Sequence, residues 1–391
     1  MSSNADSIRV LDYRDHIRLR PSMYIANTGG GESMDDGVYS LFKEVVENAT
    51  DEFNAGFGNF LEIACDEKHF TVRDFGRGIP LESLQCVCEI PNSGGKFSGD
   101  VYRCSAGLHG LGLKVVRHLC CELNIRSIRS GRFRELRYSN GRLVDDISGD
   151  TSEPTGTLVE AFPDPVIFTD LKLKQTCLSD IVTRYLAANS GLEIVLNSCK
   201  LPKLSGMSDF LARQIDLTKT SGLLVSVRCD GIEFAFAQNR FAPGWWCSFV
   251  NGHCTGNGGI HADAAKAALV ASSRRWWKDG CNGKTLDSRD VLYGMCGAVS
   301  VRLDAPSFEG QTKNRLNNVA KFSCWVDRLT KKISDYWFTH PDECELFFRQ
   351  IEYNVECRRR HEKAIHDIHE KDAEQNHEVS NEKTNVSPTQ N

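Results

Sequence analysis

The chain has 391 residues, 40% of them apolar and 25% charged, the mixture of a globular chain with two or three domains of roughly 150 residues each. Its 47 Lys and Arg against 52 Asp and Glu leave a formal charge of −5. That balance excludes a uniformly basic nucleic-acid coat and leaves room only for a local basic patch. No apolar run approaches the ~18 residues of a membrane span, and the N-terminus MSSNADSIRV lacks the apolar core of a secretory signal. A cytoplasmic location without a membrane is expected. The 16 cysteines are scattered without a CxxC pair and read as reduced thiols.

In chain order, Leu41–Phe53 has apolar residues at 41, 42, 45, 46, 49 and 53, the spacing of a helix packed on one side. LEIAC (61–65) and FTVRD (70–74) read as strands joined by a tight polar turn. LKVVRHLCCEL (113–123) reads as a helix, and FRELRYS (133–139) and TLVEAF (157–162) as strands. Helix, strands, helix, strands is the order of an α/β sandwich. Pro163 and Pro165 punctuate the join, and a helix over 170–189 fits either half. From about Ser190 a second half begins, with strands at 192–196, 223–229, 232–237, 246–252 and 298–303, a helix over 260–277, and a long helical stretch after Asn317. The domains expected are an arm at 1–15, a first domain at 16–189, a second at 190–340, a C-terminal helix at 341–370 and a disordered polar tail at 371–391. His361, His366, His369 and His377 sit in that charged end, where no apolar shell would order them as metal ligands.

Three segments carry candidate chemistry. Glu44 and Asn48 are four apart, so on a helix they share a face; they could hold a water and a hard cation, or form part of a solvated stripe. Asp74, Phe75, Gly76, Arg77, Gly78, Ile79 and Pro80 follow a strand. Glycines there let backbone approach a flat ligand whose exocyclic amine Asp74 could accept, although a plain β-turn uses the same residues. Gly94, Gly95, Lys96, Phe97, Ser98 and Gly99 precede SAGLHGLG (105–112), a glycine-rich run that enters a helix. Backbone amides at such a helix start suit polyphosphate, and connectors also use such glycines.

Together and in this order, the three resemble the nucleotide site of the gyrase, Hsp90, histidine kinase and MutL (GHKL) ATPases. HIRLRPSMYI (16–25), EVVENATDEF (44–53), RDFGRGIP (73–80), GGKF (94–97), SAGLHGLGLKVV (105–116) and PTGTLVEAFPD (154–164) are similar to type IIA DNA topoisomerase B subunits. FVNGHCTGNGGIHADAAKAAL (249–269) and FEGQTKNRLNN (308–318) resemble the transducer domain of that family. The resemblance covers about residues 8–340. It implies an α+β fold: a GHKL (Bergerat) ATPase α/β sandwich followed by a transducer of the ribosomal protein S5 domain 2-like α/β type.

The resemblance further implies roles. Glu44 would be the general base, Asn48 the Mg²⁺ ligand, and Asp74 the acceptor of the adenine amine. Gly76, Gly78, Ile79, Pro80 and Thr157 would line the base, with Arg77 paired to Glu52 over one face. Lys96 and the amides of Gly107, Leu108, His109, Gly110, Leu111 and Gly112 would hold the phosphates, and Gln311 and Lys313 would reach the γ-phosphate from the transducer. Expected partners are ATP, Mg²⁺, DNA, an A-type topoisomerase subunit and a second copy of the chain. Basic residues lining the gate, such as Arg274, Arg275 and Lys278, could meet DNA electrostatically, although RRWW also reads as a helix end with aromatic core residues. Ser40 stands where the family sometimes has a His, and Ala106 replaces a lid glycine. No metal-binding cleavage motif follows residue 340, so DNA cleavage is not expected of this chain alone. The alternative to a hydrolysing gate is an ATP-responsive clamp or decoy that dimerises without turnover.

Overall fold

The computed structural model describes residues 11–93, 110–215, 220–229, 231–239, 243–280, 286–310 and 312–384. Short helices α1 (Tyr13–Leu19) and α2 (Ser22–Ile25) lead into α3 (Gly37–Asn54). Helix α3 buries Val38, Leu41, Phe42, Val45, Val46 and Ala49, the single apolar face that three-and-four spacing predicts. The hairpin of β1 (Phe60–Cys65) and β2 (Phe70–Asp74) follows, with Leu61 opposite Asp74. Helices α4 (Leu84–Glu89) and α5 (Gly112–Leu119) precede β3 (Cys120–Arg129). The helix expected through Leu123 therefore ends at Leu119. Apolar residues at 116, 119, 120 and 123 satisfy a helix, but from Cys120 the chain pairs with β6, with a register shift between Cys120 and Glu122, and as a strand it puts Leu123 and Ile125 on one buried face. Strand pairing decided a segment whose periodicity was ambiguous.

Strands β4 (Arg132–Ser139), β5 (Arg142–Asp150) and β6 (Gly156–Pro163) continue the unit, and α6 (Gln175–Ala188) leads to β7 (Glu193–Leu196) and β8 (Cys199–Lys200). These form one sheet in the order β5-β4-β3-β6-β2-β1-β7-β8. Strand β5 escapes sequence reading because it is an edge with Val144 and Ile147 exposed and no buried alternation. Strand β7 pairs parallel with β1, so the strand expected to open the second half completes the first sheet instead, and that sheet runs to Lys200.

The second unit contains α7 (Met207–Gln214), β9 (Thr220–Cys229), β10 (Ile232–Asn239), β11 (Trp246–Val250), β12 (His253–Cys254), α8 (Ile260–Gly280), α9 (Ser288–Leu292), β13 (Met295–Val301), α10 (Phe322–Thr339) and α11 (Pro341–Thr384). Its sheet order is β12-β11-β13-β10-β9. Helix α11 continues to Thr384, so residues 371–384, expected to be disordered, are helical. The charged i,i+4 pairs Arg349–Glu345 and Arg360–Glu356 lie on its solvent face and support a helix without burial.

The second sheet is covered on both sides. Phe234 and Phe236 of β10 pack with Trp337 of α10 and Phe347 of α11, while Ala235, Ala237, Phe249 and Ala298 on the other face lie against α7, whose Met207, Phe210 and Leu211 connect them to the hydrophobic cluster of the first unit. Residues alternate across the strand, so one face meets α10 and α11 and the other meets α7, which in turn packs on α6 of the first unit. Arg302, just beyond β13, fastens the second unit to the first. Its Nη1 donates to Asn54 Oδ1 at 2.9 Å, and its Nη2 donates to the Ala188 carbonyl at 2.7 Å and to Asn189 Oδ1 at 3.2 Å. Charged hydrogen bonds of this kind contribute about 1.5–3 kcal/mol each before the cost of ordering. Arg302→Ala should destabilise the chain by about 2–3 kcal/mol, read as a lower urea midpoint; an unchanged midpoint would show that the clamp is dispensable.

Candidate active site

Helix α3 supplies most of one wall. Glu44 and Asn48 lie a turn apart and are half-buried, while Glu47 between them is 3% exposed. Glu44 packs against the start of α5. A Cβ on Gly112 would lie 1.8 Å from Glu44 Oε2, so only glycine lets the carboxylate approach that helix end.

Lys313 comes to this wall from the second unit. It is 3% exposed, and its Nζ donates to Glu47 Oε2 at 3.0 Å and to Glu44 Oε1 at 3.5 Å. The remaining Glu47 oxygen, Oε1, accepts from Tyr185 Oη at 3.0 Å and bonds His253 Nδ1. Burial opposes ionisation of Glu47, but His253 and then Lys313 outweigh it and hold the carboxyl well below the usual glutamate range. Burial likewise opposes the Lys313 charge, and Glu44 and Glu47 raise its pKa above the ordinary lysine range.

The loop that presents Lys313 is tied to the connector ahead of α8. Asn257 N donates to the Asn314 carbonyl at 2.8 Å, and Ile260 N donates to the Leu316 carbonyl at 3.0 Å. A Cβ on Gly259, whose φ is +130°, would lie 2.5 Å from Leu316 N, so the two segments lie in direct backbone contact. Lys313 itself has φ +53°, a left-handed conformation uncommon for a side-chain-bearing residue and often found at functional positions.

The other end of the site is built on β2 and β6. Asp74 is 7% exposed, and its Oδ1 accepts from Gly76 N at 2.9 Å and from Thr157 N at 3.1 Å. Burial pushes the Asp74 carboxyl up to about 6, against the pull of those two amides. Glu52 holds Arg77 in a fork, with Oε1 accepting from Nη2 at 3.1 Å and Oε2 accepting from Nε at 3.2 Å. The guanidinium lies 3.8 Å from the Phe57 ring centre, a cation–π contact. Ser127 Oγ donates to the Ile79 carbonyl at 2.7 Å, which pins the turn through Gly78, Ile79 and Pro80.

The predicted residues thus fall into two groups, Glu44, Asn48, Gly112 and Lys313 at one end and Glu52, Asp74, Gly76, Arg77, Gly78 and Thr157 at the other. Gly110 and Leu111 lead into α5, with the Leu111 carbonyl accepting from Val115 N at 3.0 Å. Lys96, Gly107, Leu108, His109 and Gln311 lie outside the described residues. Glu47, Tyr185 and His253 were not singled out from sequence. Glu47 reads as one more polar position on α3, and its partners Tyr185 and His253 are 138 and 206 residues away. Arg274 and Arg275 are exposed on α8, while Trp277 is buried and Trp276 stacks on Phe348; the Lys278 side chain is outside the described residues.

A family model for histidine kinase-, DNA gyrase B- and HSP90-like ATPases matches residues 34–165, and one for DNA gyrase B matches residues 208–366. The DNA topoisomerase 4 B subunit of Borreliella burgdorferi is 32% identical over 360 residues, covering 92% of this chain and 59% of that protein. The DNA gyrase B subunit of Streptococcus pyogenes serotype M3 is 30% identical, covering 81% of this chain and 52% of that protein. The chain therefore spans between half and three-fifths of the length of these relatives. The 43K ATPase domain of Thermus thermophilus gyrase B superimposes with a TM-score of 0.64 at 23% identity, covering 92% of this chain and 99% of that one. The ATPase region of Saccharomyces cerevisiae topoisomerase II gives 0.71 at 18% identity, covering 89% and 99%. Both share the fold of an ATPase domain followed by a transducer.

Two measurements test the site's electrostatics. Asp74 is protonated more readily when folded, so its contribution to stability is present below the ordinary aspartate range and lost as pH rises through about 6. A ligand that donates a hydrogen bond to Asp74 needs the ionised form, and its affinity should fall about tenfold from pH 7 to pH 5; a flat titration by calorimetry would remove Asp74 from the contact. Glu47 has the opposite sign: its stabilisation is present above the ordinary glutamate range and lost as pH falls below it. Glu47→Gln leaves Lys313 buried with Glu44 as its remaining carboxylate partner among those described, and should cost about 3 kcal/mol at neutral pH in urea unfolding; a cost near zero would show that Glu44 alone suffices.

Proposed function

The chain belongs to the type IIA DNA topoisomerase B-subunit family, across the ATPase and transducer part, and from that premise we propose that it hydrolyses ATP with Mg²⁺ to close a dimeric gate around DNA. The observation that carries the reading is the meeting of Lys313, from the second unit, with Glu44 on α3 of the first. A cation and a candidate base from separate domains converge where a terminal phosphate would lie between them.

We assign the adenine amine to Asp74, whose Oδ1 already takes two backbone amides, so that Oδ2 is the acceptor for the ligand. Gly76, Gly78, Ile79, Pro80 and Thr157 form the surrounding edge, and the Arg77–Glu52 pair shields one face. Gly110, Leu111 and Gly112 bring backbone amides and the positive end of α5 towards the phosphates; Lys96, Gly107, Leu108 and His109 are assigned to the same task.

The α3 donors fit a hard cation: Asn48 offers an amide oxygen one turn from the Glu44 carboxylate, the oxygen chemistry that Mg²⁺ prefers. When bound, Mg²⁺ offsets charge on the phosphate oxygens. Glu44 would orient and deprotonate the attacking water, and Gly112 allows its carboxylate to sit against the phosphate-binding helix end. Lys313 would exchange part of its contact with Glu44 and Glu47 for the γ-phosphate, with Gln311 beside it. Cleavage then removes a charge-assisted contact between two domains. We further assign to this chain a homodimeric closed state that uses the arm at 1–15, an A-type subunit as partner, DNA contact through the gate, and a cytoplasmic site of action.

Hydrolysis by the purified chain with Mg²⁺, beside sizing with a non-hydrolysable ATP analogue, tests the proposal. Slow turnover and analogue-induced dimers are expected. Glu44→Gln should lower turnover at least about a hundredfold while retaining nucleotide binding. Binding and dimerisation without turnover in the unmodified chain would favour the non-hydrolysing clamp, and absence of binding would overturn both readings.

A further inference from the structure

A cysteine pair stands beside this site without a part in the proposed ATP chemistry. Cys247 lies on β11 and Cys254 ends β12, with their Sγ atoms 3.9 Å apart. Phe249 is the register partner of Cys254, so Cys247, two residues from Phe249, is a diagonal neighbour on the same face of the hairpin. Arg184 of α6 donates from Nη1 to Cys254 Sγ at 3.5 Å. Arg184 and Cys254 both line a cavity of about 250 Å³ that also has Glu44, Gly112 and Thr312 in its wall. Cys247 does not line it and is 8% exposed. One sulfur is therefore reachable from the cavity and faces a guanidinium, and a second sulfur waits behind it.

We propose that Cys254 and Cys247 form an oxidisable dithiol, in which Cys254 attacks a small hydroperoxide admitted by this cavity and Cys247 resolves the product to a disulfide. With hydrogen peroxide as the hydroperoxide, the Cys254 thiolate attacks one peroxide oxygen, the O–O bond breaks, and the leaving hydroxide takes a proton to become water. The sulfenic acid so formed loses its oxygen as a second water when the Cys247 thiol attacks the Cys254 sulfur. Two thiols are oxidised by two electrons, and one hydroperoxide is reduced. Arg184 supports the first step by holding a negative sulfur and offsetting charge on the departing oxygen. In keeping with this geometry, the hydrogen bond from Cys247 and the charge of Arg184 hold the Cys254 thiol below the ordinary range despite burial. At Cys88, by contrast, burial pushes the thiol up to about 12.

The consequence for turnover rests on the ATPase reading. Bond formation must bring the two sulfurs from 3.9 Å to about 2.05 Å, and the movement falls on the two-residue strand β12. His253, adjacent to Cys254 on that strand, bonds Glu47, which in turn holds Lys313. Oxidation would draw His253 off Glu47 and loosen the seat of Lys313.

The test uses the full chain and hydrogen peroxide at low molar excess, followed by proteolysis and mass spectrometry under non-reducing conditions. A Cys247–Cys254 cross-link lighter by two hydrogens is expected, reversible by reductant and formed at least about tenfold faster than oxidation of exposed Cys86 or Cys199. Cys247→Ser should leave a sulfenic acid on Cys254 that dimedone traps, and Cys254→Ser should abolish both products. Oxidation of Cys254 no faster than Cys199, or sulfenic acid first at Cys247, would overturn the site. Peroxide should lower ATP turnover of the unmodified chain but not of Cys247→Ala. A cross-link that forms with turnover unchanged would overturn the coupling to Lys313. A chain without turnover before oxidation would refute the ATPase reading and leave the thiol measurements to decide the dithiol.

Discussion

A lysine charge buried at the junction of two domains is the constraint on which this molecule turns. An ammonium group out of water is tolerated only where carboxylates and hydrogen bonds replace its hydration. Lys313 finds them on α3, in Glu44 and Glu47. Glu47 is itself buried, and Tyr185 from α6 and His253 from β12 complete its hydrogen bonding. Charges and donors from four separate segments are therefore satisfied only when the domains are docked as they are here.

That docking is reinforced by packing. The second sheet puts large aromatics of β10 against α10 and α11 and small residues, Ala235 and Ala237, against α7, which itself packs on α6 of the first unit. Small side chains on that face allow the sheet and α7 to approach closely. Arg302 then binds Asn54, Ala188 and Asn189 at the ends of α3 and α6. The same two helices carry Glu44, Glu47 and Tyr185. A change in charge near Glu44 is thus delivered to elements that the second unit already grips, which is the physical requirement for one domain to respond to chemistry in the other.

The two ends of the site use opposite electrostatic strategies. At the Lys313 end, mutual pairing keeps acid and base ionised in spite of burial. At the Asp74 end, a carboxyl is buried with two backbone amides on one oxygen, and its proton affinity rises. An unpaired carboxylate gains most from a ligand donor, so the second arrangement favours recognition, whereas the first favours a contact that a competing anion can rearrange. The cavity at the junction brings Cys254 and Arg184 into the same neighbourhood, beyond anything the ATPase motifs require.

Much of this was legible in the chain itself. Helix α3 follows from three-and-four spacing, β2 from FTVRD, and the family from ordered motifs that include local interactions such as that of Asp74 with Gly76. Segments whose neighbours are remote were not legible. Cys120–Leu123 satisfies both periodicities until β6 pairs with it, β5 is an edge with no buried face, and the strand at 193–196 reveals its sheet only by lying beside β1. Glu47 looks like any other polar residue on α3, and Cys247 like one scattered thiol. Sequence determines local geometry and the chemistry each side chain can offer, because both depend on covalent structure and near neighbours. Which Glu meets Lys313, which His holds that Glu, and which cysteine of the described residues comes within 3.9 Å of Cys254 were decided by tertiary packing, since only folding brings those charges and sulfurs out of water and into reach of one another.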